Sequence, residues 1–367
     1  MATGADIAVV GAGIVGLSTA YALAELGSSV TVYERGVPGS SQSGGESRIF
    51  RHAHDDPRLV ELACRARVLW RAWEERFGVE LLAADGTVAL GPKAERRLAV
   101  MRAAGGVTAR PVEPAELAER LPLLARWDGP AVLEEDAGVI RACAAVGALV
   151  AALRDSIVAD DVISVRATGR ATVEVRTGGG TAEHERLVVC AGRGTAALAA
   201  GVGLSLPVRH AAHERLTYPD RGDAPARLAC LQDGSDAFGE PGAYGDPLPG
   251  NRLYAVGVDE AAAREDGSLL DPSDLARAVE RTGAYVARAL PGLAPQPVES
   301  RHCWVTELPW GADGLAAWEA DGLLFLAGNN LFKHAPALGG MLARAALGEG
   351  LAPELHPRSR LGERQDG

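Results

Sequence analysis

One stretch near the start of the chain restricts the fold more than any other: DIAVVGAGIVGLSTAYALAELGSSVTVYER, residues 6–35. Ile7 to Val10 form a short apolar run rich in branched residues, as in a strand buried on both faces. Gly11, Gly13 and Gly16 follow at G-x-G-x-x-G spacing. From Ile14 the apolar residues recur at helical spacing as far as Leu26, and Gly27 stops the helix. Val30 to Tyr33 then read as a second strand, ending at Glu34. In such a unit the first glycine permits a tight turn and the second lets a pyrophosphate approach the backbone. The third lets the helix lie close on the strand, and the helix N-terminus stabilises the phosphate charge. Glu34 is placed to accept from a ribose hydroxyl, and Arg35 beside it joins the candidate cofactor-binding set. An acidic residue here disfavours a 2′-phosphate, which leaves NAD or FAD.

The remaining chain narrows the choice. VVCAGRGT (residues 188–195) and LLFLAGNN (residues 323–330) are further buried strands that run into glycine or asparagine turns. Helical patterns cover about 58–77, 113–122, 273–290 and 337–348. The expected fold class is α/β, with a Rossmann-like cofactor domain assembled from residues 1–80, 139–207 and 301–352. A mixed-sheet substrate domain of the α+β kind is inserted as 81–138 and 208–300, and residues 353–367 form a polar, frayed tail. Simple nicotinamide dehydrogenases usually keep this domain contiguous, so the discontinuity favours FAD.

Composition excludes several classes. A net charge of -11 argues against nucleic acid as a partner. Five cysteines without a CxxC pair argue against a disulfide framework and for a reducing, cytoplasmic setting. No basic segment precedes the first apolar run, and no run of apolar residues is long enough to span a bilayer. No HExxH, zinc-type cysteine spacing or G-x-S-x-G elbow occurs, so neither a metal site nor a serine hydrolase is expected. Cys303, in SRHCWV, reads either as a small core residue or as a group that holds something.

Several segments together resemble the D-amino-acid-oxidase-like flavoproteins, in particular the monomeric sarcosine oxidase and N-methyltryptophan oxidase branch. Beside the first motif, the resemblance is carried by SRIFRHAHDDPRLVELACRARVLWRAWEE, TVALGPK, VVCAGRGT, SRHCWVTELPWGADG and LFLAGNNLFKHAPALGG, in the family's order. It implies FAD, with Cys303 matching a cysteine that forms a thioether to the flavin 8α-methyl carbon. It implies that Arg48 lies near the flavin ring, that Arg51 pairs with a substrate carboxylate, and that Lys333 completes the carboxylate site. Asn329 and Asn330 stand in the flavin-side turn, where the family carries glycine and histidine. The implied reaction is oxidation of a secondary or cyclic amino acid to its imine, hydride passing to flavin N5 and O₂ becoming H₂O₂, in a monomer. His52 is added as a group that tunes substrate protonation.

The chain departs from that branch at four places. Ala255 stands where a lysine that activates oxygen is expected. Ser43 and Gly44 replace a histidine pair expected before RIFR. NNLFK is shorter than its counterpart. Phe238 and Asp259 occupy the aromatic and histidine positions of the substrate pocket. These departures keep two other readings open: a flavin-dependent dehydrogenase or biosynthetic enzyme that does not use O₂ efficiently, and a flavin-binding subunit without catalysis.

Overall fold

The computed structural model describes residues 6–169, 172–258 and 272–363. Two sheets organise it. The first has six strands in the order Leu315–Ala320, Leu323–Gly328, Arg186–Val189, Asp6–Val10, Ser29–Glu34 and Ile157–Ala159. All pairings are parallel except that of the first two strands. Segments far apart in the chain therefore meet in one layer, as the repeated strand-to-turn units predict.

Alternation explains why Ile7 to Val10 read as an unbroken apolar run. Ile7 and Val9 face a core shared with the helices Ile14–Glu25 and Ala335–Arg344. Ala8 and Val10 face the opposite way, where Val165, Val173 and Val175 of a three-stranded antiparallel sheet cover the layer. A strand buried on both faces has no position for a polar side chain.

The second sheet has eight strands in the order Glu299–Glu307, Arg209–Pro219, Leu253–Val258, Ala243–Pro247, Cys230–Asp233, Thr87–Leu90, Ala131–Glu134 and Ala109–Pro111. It is mixed, because Cys230–Asp233 runs parallel to Thr87–Leu90 and the other pairs are antiparallel. One face is apolar: Leu216, Tyr218, Tyr254, Val256 and Leu231 pack with Tyr285 and Val286 of the helix Pro272–Ala289. The residues between them, including Arg215, Tyr244, Asp246 and Cys303, point to the other face, towards the first sheet.

Two expectations about boundaries change. Residues 301–307 do not join the cofactor sheet; they pair residue for residue with 209–215, on the edge of the eight-stranded sheet. The segment from residue 353 is not a frayed tail as far as it is described, to residue 363. Leu355 and Leu361 are buried in the main core, Arg58 Nη1 donates to the Ser359 carbonyl at 2.7 Å, and Gly362 N donates to Asp56 at 2.8 Å. Widely spaced leucines in a polar segment suffice to anchor it. Among the described residues no helix is long and apolar enough to cross a membrane, and no three His, Cys, Asp or Glu side chains converge as a metal site.

Candidate active site

A cavity of about 790 Å³ lies between the two sheets, large enough for a cofactor and a small substrate. Its first end is the glycine turn. Gly11 has φ +98°, and a Cβ there would stand 2.6 Å from the Cys190 carbonyl oxygen. At Gly16 a Cβ would stand 1.9 Å from the Gly11 oxygen, so only glycine lets the helix leave the strand this closely. Gly13 differs: a Cβ there would meet nothing nearer than Ser43 Oγ at 3.2 Å, and the residue lines the cavity. The site thus has the close-packed turn and open backbone that a pyrophosphate requires.

Glu34 and Arg35 both line this end. The Glu34 carboxylate accepts from Ala12 N at 2.8 Å and from Gly36 N at 2.9 Å, so it braces the glycine turn as well as facing the cavity. Each oxygen retains a lone pair for a ribose hydroxyl. Ser43, singled out in the sequence only as a missing histidine, accepts from Ile14 N at 2.9 Å and closes the first turn of the helix.

The middle of the cavity is walled by both sheets. Arg48 donates to the carbonyls of Ser47 at 2.7 Å, Gln42 at 3.2 Å and Gly44, and its guanidinium lies 5.7 Å from the centre of the Phe332 ring. Burial, then the neighbouring Arg215, lowers its pKa. Arg215 is itself buried and donates to Asp246, to Ser47 Oγ at 2.8 Å and to the Ser47 carbonyl at 2.9 Å. Its Nε–H is buried without a partner, an unsatisfied donor in a wall of the cavity. Cys303 also lines the cavity, close enough to Arg48 and Arg215 to interact with both charges. Ala255 is buried between Asp246 and Thr217 in the register, and no cationic side chain stands there; Arg215, on the adjacent strand and the same face, is the cation nearest in the sheet.

At the far end Arg51, Asp313, Asn330 and Lys333 line the wall. Arg51 donates to Asp313 at 3.2 Å and to the Ala53 carbonyl. Asp313 also contacts His54 Nδ1 at 2.9 Å and accepts from Asn330 Nδ2 at 2.5 Å. Burial tends to raise the Asp313 pKa, but Arg51 and His54 outweigh it and hold the carboxyl well below the usual range. Lys333 is pulled down to about 7, first by burial and then by Arg51. His54 is pulled down to about 3 by the same two causes. Asn329 lines the cavity beside Asn330 and donates to the Ala312 carbonyl at 3.0 Å.

Two expected residues are not brought to the cavity, and a third cannot be placed against it. His52 is buried away from it, bound through its backbone N and its ring to Glu134 at 2.6 and 3.2 Å. Phe238 packs against Trp127 and Tyr285 on the apolar face of the large sheet, because the turn that carries it leaves on the helix side. Asp259 lies outside the described residues. Conversely, His54, Asp313, Arg215 and Asp246 were not selected from the sequence.

The match to known proteins decides the family. The model of the FAD dependent oxidoreductase (DAO) family matches residues 6–345. The chain belongs to that family. FAD is accordingly its cofactor, and the glycine turn and Glu34 are groups in the cavity that fit it. Human peroxisomal sarcosine oxidase is 30% identical over 214 residues, 56% of this chain and 54% of that protein, so the match spans about half of the relative's length. NikD, described as an unusual amino acid oxidase essential for nikkomycin biosynthesis, has the same fold, with a TM-score of 0.81 and 21% identity over 99% of this chain and 98% of its own. L-proline dehydrogenase from P. horikoshii also superposes, with a TM-score of 0.83 and 19% identity over 99% of this chain and 100% of its own.

Proposed function

We propose that this member of the family oxidises the C–N bond of a secondary or cyclic amino acid, taking a hydride from the carbon next to nitrogen and releasing the imine. The observation that carries this reading is a cavity with a dinucleotide cradle at one end and the cations Arg51 and Lys333 at the other. Arg51 and Lys333 would bind the substrate carboxylate, and the walls would exclude water and aim the C–H bond. Arg48, held by three backbone carbonyls, would stabilise negative charge on the reduced cofactor. Bound FAD would supply the hydride acceptor. His52 takes no part in this reading. The human relative's name, sarcosine oxidase, agrees with the substrate class.

Cys303 would hold the flavin through a thioether, a role supported by its place on the cavity wall beside Arg48 and Arg215. O₂ is the proposed electron acceptor and the chain is proposed to act as a monomer. Ala255 favours a second reading, a dehydrogenase that passes electrons elsewhere, and a neighbour of the same fold is a proline dehydrogenase.

Acid precipitation tests the cofactor link. Yellow that stays in the pellet, and is lost from it in Cys303→Ala, supports the thioether; yellow in the supernatant refutes it. Bleaching of the visible spectrum by a panel of secondary and cyclic amino acids under argon tests the reaction, and no bleaching would mean a chain that binds flavin without catalysis. Peroxide release in air then separates oxidase from dehydrogenase.

A further inference from the structure

The substrate end of the cavity already contains a carboxylate. Asp313, in the loop between the strands Glu299–Glu307 and Leu315–Ala320, meets donors from two other regions of the chain. Arg51 Nη2 is 3.2 Å away, His54 Nδ1 2.9 Å and Asn330 Nδ2 2.5 Å. Asn330 holds its amide there from a left-handed backbone conformation, φ +55°. The other end of the Arg51 fork, Nη1, donates to the Ala53 carbonyl. Each Nη nitrogen therefore already spends a donor within the protein, and a ligand carboxylate approaching Nη2 meets Asp313 there first.

Asp313 is not beneath the wall but on it: its side chain retains 16% exposure and lines the cavity together with Arg51, Asn330 and Lys333. A carboxylate that only oriented Arg51 from behind would be sealed, as Glu134 is at 1% beneath His52. The donors converge on Asp313 as they would on a bound ligand.

We propose that Asp313 is a resident carboxylate seated in the substrate-carboxylate subsite, which a substrate must displace from Arg51 or share with it. It is then a specificity-determining residue for the reaction proposed above, and the proposal rests on that reading of Arg51. The consequence follows from tethering. An intramolecular competitor acts at a high effective concentration, in the millimolar range even for short flexible links. A small carboxylate with no other contact competes poorly. A substrate succeeds by adding contacts along its amine and side chain, so the site discriminates against simple carboxylic acids without any steric barrier.

Chemical rescue tests this with acetate as the probe. Thermal stability and the visible flavin spectrum of the holoenzyme are followed in sodium acetate against sodium chloride at equal ionic strength. The proteins are wild type, Asp313→Ala, Arg51→Met and the double variant. The expected result is an acetate affinity at least tenfold tighter in Asp313→Ala than in wild type. Acetate should also raise the melting temperature of that variant and not of wild type, because acetate fills the vacated cradle. Adding Arg51→Met should abolish both effects. Acetate binding that is unchanged or weaker in Asp313→Ala, but still dependent on Arg51, overturns the role of Asp313 and leaves the carboxylate subsite standing. Acetate binding indifferent to Arg51 in both backgrounds overturns the subsite and the proposal together. If Asp313→Ala does not fold, the isosteric Asp313→Asn decides through the flavin spectrum, where acetate must again bind tighter.

Discussion

At the scale of single residues, Lys333 has a charge that changes within the working range of pH. Burial and Arg51 hold its pKa near 7, so the ligand-free site gains a full second cation only below that value. In the proposed reaction, kcat/KM for a carboxylate substrate should fall as pH rises through about 7, on the limb that reports the free enzyme. Lys333→Met should lose that limb and raise KM roughly 30-fold, from about 2 kcal/mol for one charge-assisted hydrogen bond. A profile of kcat/KM from pH 5.5 to 9 in both proteins checks it; an identical alkaline limb in the variant would remove Lys333 from the site. Arg48, Arg51 and Lys333, which all line the cavity, could be selected from the sequence because they sit in short motifs that resemble the family's. His52 and His54 were not separable, since both lie in one irregular loop and differ only in what meets them from afar. Glu134 takes the first out of the cavity and Asp313 brings the second to its edge.

At the scale of elements, the glycine turn makes two different predictions from one motif. Gly16→Ala drives a Cβ against the Gly11 carbonyl at 1.9 Å, so the strand and helix must separate and the protein should lose both fold and flavin. Gly13→Ala meets nothing nearer than 3.2 Å, so the chain should fold with a near-normal melting temperature and lose flavin occupancy alone. Melting curves and flavin-to-protein ratios for the two variants check this, and equal behaviour would sink the distinction. A second element-level feature is the buried group Arg215, Asp246 and Ser47, which ties the strands Arg209–Pro219 and Ala243–Pro247 to the short strand Ser47–Phe50. Asp246→Asn or Arg215→Met alone should cost about 3–5 kcal/mol by leaving the partner uncompensated, and the double variant less than the sum. Denaturant titration of the cycle measures it; additive losses would mean that the two side chains do not act as a pair. The sequence concealed this group. In RHAAHERLTYP the alternation that aims Arg215 at the cavity is blurred by charged residues on both faces, and its partners lie 31 and 168 positions away.

At the scale of the whole molecule, the assembly of one six-stranded sheet from separated segments was legible because its central strands announce themselves by an apolar run and a small-residue turn. The edge strand carrying Cys303 was not, because its polar and aromatic residues give no sign of which sheet it joins. The completed fold also sets a dependence on pH that no segment shows. His54 and His334 are sealed in the interior with Arg51, Lys333 and Asp313 around them; burial leads in holding His54 near pKa 3 and His334 well below its ordinary value. In the unfolded chain both titrate near 6.5, so below that pH the unfolded state binds more protons and stability falls as pH falls. At pH 5 each histidine should cost about 2 kcal/mol, a large share of the margin of about 5–15 kcal/mol of a typical native protein. Asp313 acts in the same direction but lower, because its depressed folded pKa gives stability that is lost only below about pH 4. The loss between pH 6.5 and 5 therefore belongs to histidines held low in the fold, with His210 adding to these two in the same direction and Lys333 acting mainly above that interval. Urea titrations at pH 7.5 and 5.0 should show wild type losing stability across this interval, and His54→Asn or His334→Gln losing less, each by about one proton's slope. Stability flat across the interval would mean that water or a proton reaches these rings in the folded state, and the closed carboxylate end of the cavity would have to open to admit it.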